Sequence, residues 1–235
     1  MNLPDRFQGI FLNPQLTLKA ISEKPAWTGA LVIILISLII FSYIAIPYAQ
    51  KDRLEIDKND IQLRERLGEE RFNQRLEFLE DPPKALLYFL SFVGTPAVYL
   101  IGFLISSLVI LIIGRLTSTE GKYVQVFAAV LHVNFVDKIL GNFLRLLLIL
   151  TKKSAMQTTT SLAFLFPRME VTSLSYLILS QFDFFQLWLF GILGYGLSHI
   201  FKIDLKKAVI ISYAFWFLKS LLYIGMHLLE IGFRG

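Results

Sequence analysis

The chain has 235 residues; 55% are hydrophobic, 21 are Phe and only 17% are charged, against roughly 25% charged in soluble domains. Its mean hydropathy is +0.60, too apolar for a disordered chain. It has no cysteine, which excludes a disulfide scaffold, thiolate catalysis and Cys-ligated zinc.

The charge is concentrated. Residues 51–81 hold seven Lys/Arg and ten Asp/Glu out of 23 and 18 in the whole chain. Elsewhere cations sit singly or in pairs at the ends of apolar runs, as they do where a chain meets lipid head groups. The basic pI of 9.3 therefore carries no nucleic-acid signal. The composition predicts an all-α fold: a polytopic membrane helical bundle of about five spans with a charged helical insert. Long apolar runs without alternation favour helices over a closed barrel.

Residues 1–27 come first. Asn13-Pro14 reads as an N-cap followed by proline at the first helical position. Leu16, Leu18 and Ile21 then mix with Lys19, Glu23 and Lys24, ending at Lys24-Pro25. This predicts an amphipathic N-terminal segment lying on the membrane. Span one is predicted at about 28–48, entered past Trp27 and closed by Lys51. Its late start and length argue against a cleaved leader.

Residues 51–82 favour helix, and Leu54, Ile61, Phe72, Leu76 and Leu79 give a broken apolar stripe. The segment reads either as a solvated connector or as a partner-docking arm. For docking, the candidates are Arg64, Arg66, Arg71, Phe72, Arg75, Leu76 and Leu79. Span two is predicted at about 85–114. Its 30 residues reach roughly 45 Å, so a kink at Gly94 and Pro96 is expected. Gly102-x-x-x-Ser106 permits close helix approach, as does Gly194-x-x-x-Ser198 further on.

Span three, about 123–150, carries the unusual chemistry. At roughly 100° per residue Asn134, Lys138, Asn142 and Arg145 share one stripe, Asp137 flanks it at about 60° from Asn134, and His132 faces away. Spans four and five are predicted at about 184–201 and 208–229, adding Asp183 and Lys219. An unpaired charge in mid-bilayer costs at least ~2.5–3.5 kcal/mol. These groups must therefore pair, snorkel or line a polar cavity. Pairing of Asp137 with Lys138 or Lys219, and of Asp183 with Lys219, is one solution. A groove meeting lipid phosphates or a partner's polar groups is another, and a break at Gly141 is a third.

Phe11-Leu12-Asn13-Pro14-Gln15 with Lys19-Ala20-Ile21-Ser22-Glu23-Lys24-Pro25-Ala26-Trp27 resembles the opening of YIP-domain (Ypt/Rab-interacting) membrane proteins. Phe182-Asp183-Phe184-Phe185-Gln186-Leu187-Trp188, then Gly191, Gly194, Gly196 and Lys206-Lys207-Ala208, is similar to that family's last two spans. The resemblance covers most of the chain, and the charged insert looks more like prokaryotic members. It implies five spans, a cytoplasmic N-terminus, an external C-terminus and, for a prokaryotic member, the bacterial inner membrane. It also implies an accessory or assembly role beside other integral membrane proteins, such as an ABC exporter. The charge bias across the loops does not decide the orientation by itself.

There is no HExxH, GxSxG or P-loop, and His132, His199 and His227 fall in different spans. No catalytic residue, metal or cofactor is expected. The expected partners are the bilayer and other membrane proteins, with self-association left open. The alternative function is a lipid- or small-solute-moving transporter using the span-three stripe, although no internal repeat supports it.

Overall fold

The computed structural model describes residues 1–156, 160–166, 168–171 and 173–232, with no side-chain description beyond residue 229. The described residues form helices α1 (Leu3–Leu12), α2 (Pro14–Glu23), α3 (Thr28–Lys58), α4 (Ile61–Glu80) and α5 (Lys84–Phe89), then α6 (Thr95–Arg115), α7 (Tyr123–Phe135) and α8 (Asn142–Lys152), and finally α9 (Leu174–Gln181), α10 (Phe184–Phe201) and α11 (Leu205–Gly232). This is the all-helical bundle that the composition predicts.

Among the described residues, four helical stretches are long and apolar enough to cross a membrane: Thr28–Lys58, Lys84–Arg115, Phe184–Phe201 and Leu205–Leu229. The third predicted run is also helical, but it is not one of these four, and a π segment splits it into α7 and α8. It sits at the centre. Val126 to Phe135 are all buried, as expected for a helix that is apolar on every side. Helices α1, α2, α3, α6 and α10 surround it.

Two ends of the bundle are fixed by polar contacts. At one end Ser118 Oγ donates to the Phe201 carbonyl at 2.6 Å, Lys202 meets Glu120 at 3.1 Å, and Gln125 Nε2 donates to the Ser22 carbonyl at 2.7 Å. At the other, Asp52 Oδ2 accepts from Ser154 Oγ and from the backbone N–H groups of Ala155 and Met156 at 3.0, 2.6 and 2.8 Å. The N-terminus and the connections around 116–122 and 202–204 therefore share one end. The insert and the connection after α8 share the opposite end, called here the insert end.

Both kinks are π-helical. Leu90–Gly94 joins α5 to α6, and the Thr95 N–H reaches back to the Leu90 carbonyl. The wider turn accommodates Pro96, which has no N–H to offer the preceding turn. Ser42 of α3 seats itself there, donating to the Ser91 carbonyl at 3.0 Å. The second π segment, Val136–Gly141, lies in the middle of the third run.

The N-terminal segment differs from the single surface helix expected of it. Asn13 does cap α2, accepting from the Leu16 N–H, with Pro14 at the first helical position. However, α1 and α2 form an antiparallel hairpin packed against α7 and α10. Ile10, Leu18 and Ile21 are wholly buried. Phe7 meets Phe135 and Phe11 meets Trp188, with ring centroids 5.2 and 6.2 Å apart. The hairpin base is tied by Arg6, whose guanidinium donates to the Ala26 and Lys24 carbonyls at 3.2 and 3.1 Å. The apolar stripe that suggested a membrane surface is satisfied by the bundle itself.

The insert is helical, but not a separate element. Helix α3 runs without a break through Lys51–Lys58. Asp57, 1% exposed, binds Arg53 at 2.9 Å and Arg75 of α4 at 2.8 Å. Phe72 of α4 is also buried, with the Arg64 guanidinium over its ring at 5.7 Å. Gly68 breaks α4 with φ at 75°, a conformation that glycine adopts readily.

Of the two small-residue motifs, one packs as expected. A Cβ on Gly194 would lie 2.5 Å from the Val209 side chain and 3.1 Å from its Cα, so α10 and α11 touch through this glycine. Gly102 does not pack: a Cβ there would meet nothing within 4 Å. It faces a cavity.

Candidate functional site in the membrane-embedded bundle

The π segment builds the site. It inserts one extra residue into the helical register, which rotates everything beyond it by about 100° relative to a straight helix. Asp137 and Arg145 are about 80° apart on a regular helix and only about 20° apart across such a bulge. Their side chains meet: Arg145 Nη2 donates to Asp137 Oδ1 at 2.8 Å. Lys138 Nζ lies 2.6 Å from Asp137 Oδ2. Asp137 is 1% exposed, so this carboxylate is buried between two cations.

Arg145 also spans to the next helix. Its Nη2 contacts both carboxylate oxygens of Asp183 at 3.1 Å, its Nη1 reaches Asn142 Oδ1 at 3.2 Å, and its Nε donates to Thr160 Oγ1 at 3.2 Å. Thr160 in turn donates to Asp183. Asp183 is the N-cap of α10, accepting from the Phe185 and Gln186 N–H groups at 2.9 and 3.1 Å. A carboxylate there is favoured by the exposed amides and the helix dipole. The result is one connected chain of charges, Lys138–Asp137–Arg145–Asp183.

Lys219 is not part of it. Among the described residues no ion pair joins it to Asp183 or Asp137, which corrects the pairing expected for this lysine. The reason is competition: Asp183 is saturated by Arg145, Thr160 and its own helix N-terminus. Lys219 Nζ instead donates to Gln186 Oε1 at 2.8 Å and lies 5.6 Å from the Phe190 ring centroid. Asn134 turns its amide onto its own helix, donating to the Val130 carbonyl at 2.7 Å. His132 faces away from the cluster, fully buried beside Phe135, with Nδ1 2.7 Å from the Ala128 carbonyl.

Lys138, Asn134, Gln186 and Lys219 converge on a cavity of about 260 Å³ between α6, α7, α10 and α11. Tyr99 stands at the same end, its ring centroid 4.4 Å from Lys138 Nζ. Ile110, Val130 and Leu193 line the other end. The cavity is thus cationic at one end and apolar at the other. Tyr99 and Gln186 did not stand out in the sequence. Gln186 lies three residues after Asp183, in the first turn of the helix that Asp183 caps.

The docking candidates separate into two groups. Arg64, Arg66 and Arg71 are exposed, and Leu76 and Leu79 are half-buried. Phe72 is 4% exposed, and Arg75 is bound to Asp57. Arg75 ties α4 to α3 through Asp57, and Phe72 is buried within the insert, with Arg64 over its ring at 5.7 Å. Exposed apolar positions on the arm are Ile61 and Phe78.

The charge network, the kinked second run, α10 and most of α11 lie within a stretch covered by one known family. The family model described as the Yip1 domain matches residues 9–226. The chain belongs to the Yip1 family. It is accordingly an integral membrane protein, its apolar helices facing lipid. No curated protein and no solved structure matches it. Within the Yip1-domain span lie every residue of the charge network and the whole arm, while the first eight residues, including Phe7 of the hairpin, fall outside it.

Proposed function

We propose that this Yip1-family chain is a non-enzymatic accessory protein that docks onto other integral membrane proteins through its arm, in transport or trafficking. The observation that carries this reading is the fixation of the arm. Burial of Asp57 between Arg53 and Arg75 ties the part of α4 beyond the Gly68 break to the end of α3. An arm so tied loses less entropy on docking than a mobile one. It presents Arg64, Arg66 and Arg71 beside Ile61 and Phe78, a mixture of cations and apolar side chains suited to a partner's acidic, partly apolar surface. In keeping with prokaryotic members of the family, the membrane is the bacterial inner membrane with the N-terminus cytoplasmic, which puts the arm on the outer side.

The test is co-purification in mild detergent. Simultaneous Arg64→Glu, Arg66→Glu and Arg71→Glu substitution should sharply reduce recovery of the membrane proteins that accompany the wild type. Unchanged recovery removes the docking role.

The cavity favours a second reading, movement of lipid or a small solute. Reconstitution into liposomes decides it: wild-type protein that moves neither lipid nor solute rules this out.

A further inference from the structure

We propose that the cavity between α6, α7, α10 and α11 is a binding site for one anionic phospholipid, its phosphate held by Lys219 and Lys138 and one acyl chain laid along the groove beside Gly102. This goes beyond the docking role. It stands on the groove alone and requires occupancy, not movement.

Charge comes first. The cluster holds three cations, Lys138, Arg145 and Lys219, and two carboxylates, Asp137 and Asp183. One positive charge is left over. Among the described residues that charge belongs to Lys219, whose amine donates to the neutral Gln186 oxygen at 2.8 Å. Cations inside a bilayer are costly unless paired or solvated. A monoanion arriving at this position completes the pairing.

Direction comes second. Lys138 is fifteen residues past the start of α7, and Gln186 is fifteen residues before the end of α10. Both therefore sit about 22 Å from the N-terminal end of the bundle, at roughly 1.5 Å per residue. Lys219, fourteen residues into α11, sits at about 21 Å. With a hydrocarbon core of about 30 Å, all three lie roughly 8 Å below the surface at the insert end. That is within reach of a head group settled slightly inward, with the long lysine side chains extending toward it. The apolar end of the cavity, at Ile110 and Val130, lies deeper, roughly 8–10 Å from the N-terminal end by the same rise and so just past the midplane. Phosphate uppermost and hydrocarbon below is the orientation of a lipid in the leaflet on the insert side.

Access comes third. Val98 and Tyr99 at the mouth are 70% and 36% exposed, so the groove opens sideways to lipid between α6 and α11. Gly102 leaves open space where any other side chain would begin. An acyl chain can lie against that bare backbone.

The experiment incorporates the full chain into vesicles of equal phosphatidylglycerol and phosphatidylcholine, extracts it gently and weighs the lipids it retains by native mass spectrometry. Wild type should keep one phosphatidylglycerol in preference to phosphatidylcholine. Lys219→Gln should lower that retention about tenfold or more, the weight of one charge-assisted hydrogen bond. Gly102→Leu should lower it by filling the groove, without loss of thermal stability, because open space begins where its Cβ would stand. Equal retention of the two lipids overturns the proposal, as does unchanged retention in both variants. So does displacement by inorganic phosphate, which would assign the lysines to a free anion, or capture of a partner's acidic helix in place of lipid.

Discussion

Asp137 and Arg145 stand eight residues apart in the sequence, and their side chains meet at 2.8 Å because the helix between them is wound as a π segment. Without the extra residue in that turn, Arg145 would point away from the buried carboxylate and Asp137 would have Lys138 alone.

Removing one member of such a network leaves the others charged and unmatched. Asp137→Ala should destabilise the protein by about 3–5 kcal/mol, the range for breaking a buried ion pair. Joint replacement of Asp137 and Arg145 by Leu should not recover that loss, because Lys138 still lacks its carboxylate and Asp183 then loses its guanidinium. Thermal unfolding in detergent measures both; a double variant as stable as the wild type contradicts the network.

The arm depends on Asp57. Asp57→Ala releases Arg53 and Arg75, so α4 should be cut by limited proteolysis much faster than in the wild type while the bundle stays intact. Equal cleavage rates would show that α4 is held by something else.

Gly194 and Gly102 make a contrast. Gly194→Leu forces a side chain into the Val209 backbone and should cost roughly 1–3 kcal/mol or more, as overpacking does. Gly102→Leu should leave thermal stability where it was. Similar losses at both positions would contradict the packing described.

A chain with no cysteine is suited to labelling with single introduced thiols. Thiols at Asn59 and Lys153 should react with a membrane-impermeant maleimide from one side, and thiols at Lys122 and Lys202 from the other, which checks that α7–α8 makes a fifth crossing. A thiol at Leu12, at the tip of the N-terminal hairpin, should resist the impermeant reagent from both sides. Ready labelling there would return the hairpin to the membrane surface.

Much of this architecture was legible in the amino acids. Apolar runs bounded by Trp27, Lys51 and Arg115 located helices because lipid leaves the backbone no other partner. Asn13-Pro14 located the start of α2, because capping is chemistry between near neighbours. Gly94 and Pro96 located a kink. What stayed hidden depends on contacts between segments distant in sequence. The amphipathic stripe of α2 reads the same whether lipid or α10 covers it. A π turn has no residue code, so angular arithmetic on a regular helix separated Asp137 from Arg145. Pairing of Lys219 with a carboxylate is one of the solutions that the sequence leaves open, and the prior engagement of Asp183 by Arg145 is invisible in it. The arm residues look equivalent in the sequence, although Phe72 is buried and Arg75 is bound to Asp57.

The N-terminal hairpin imposes an order of assembly. Phe7 and Phe11 are synthesised more than a hundred residues before Phe135 and Trp188, a lag of roughly ten seconds or more at ribosomal speed. During that interval the greasy face of α1 and α2 has no permanent neighbour. The segment that leaves the ribosome early is therefore set in place late, and a bulky domain fused ahead of Leu3 would hinder the closing step of biogenesis.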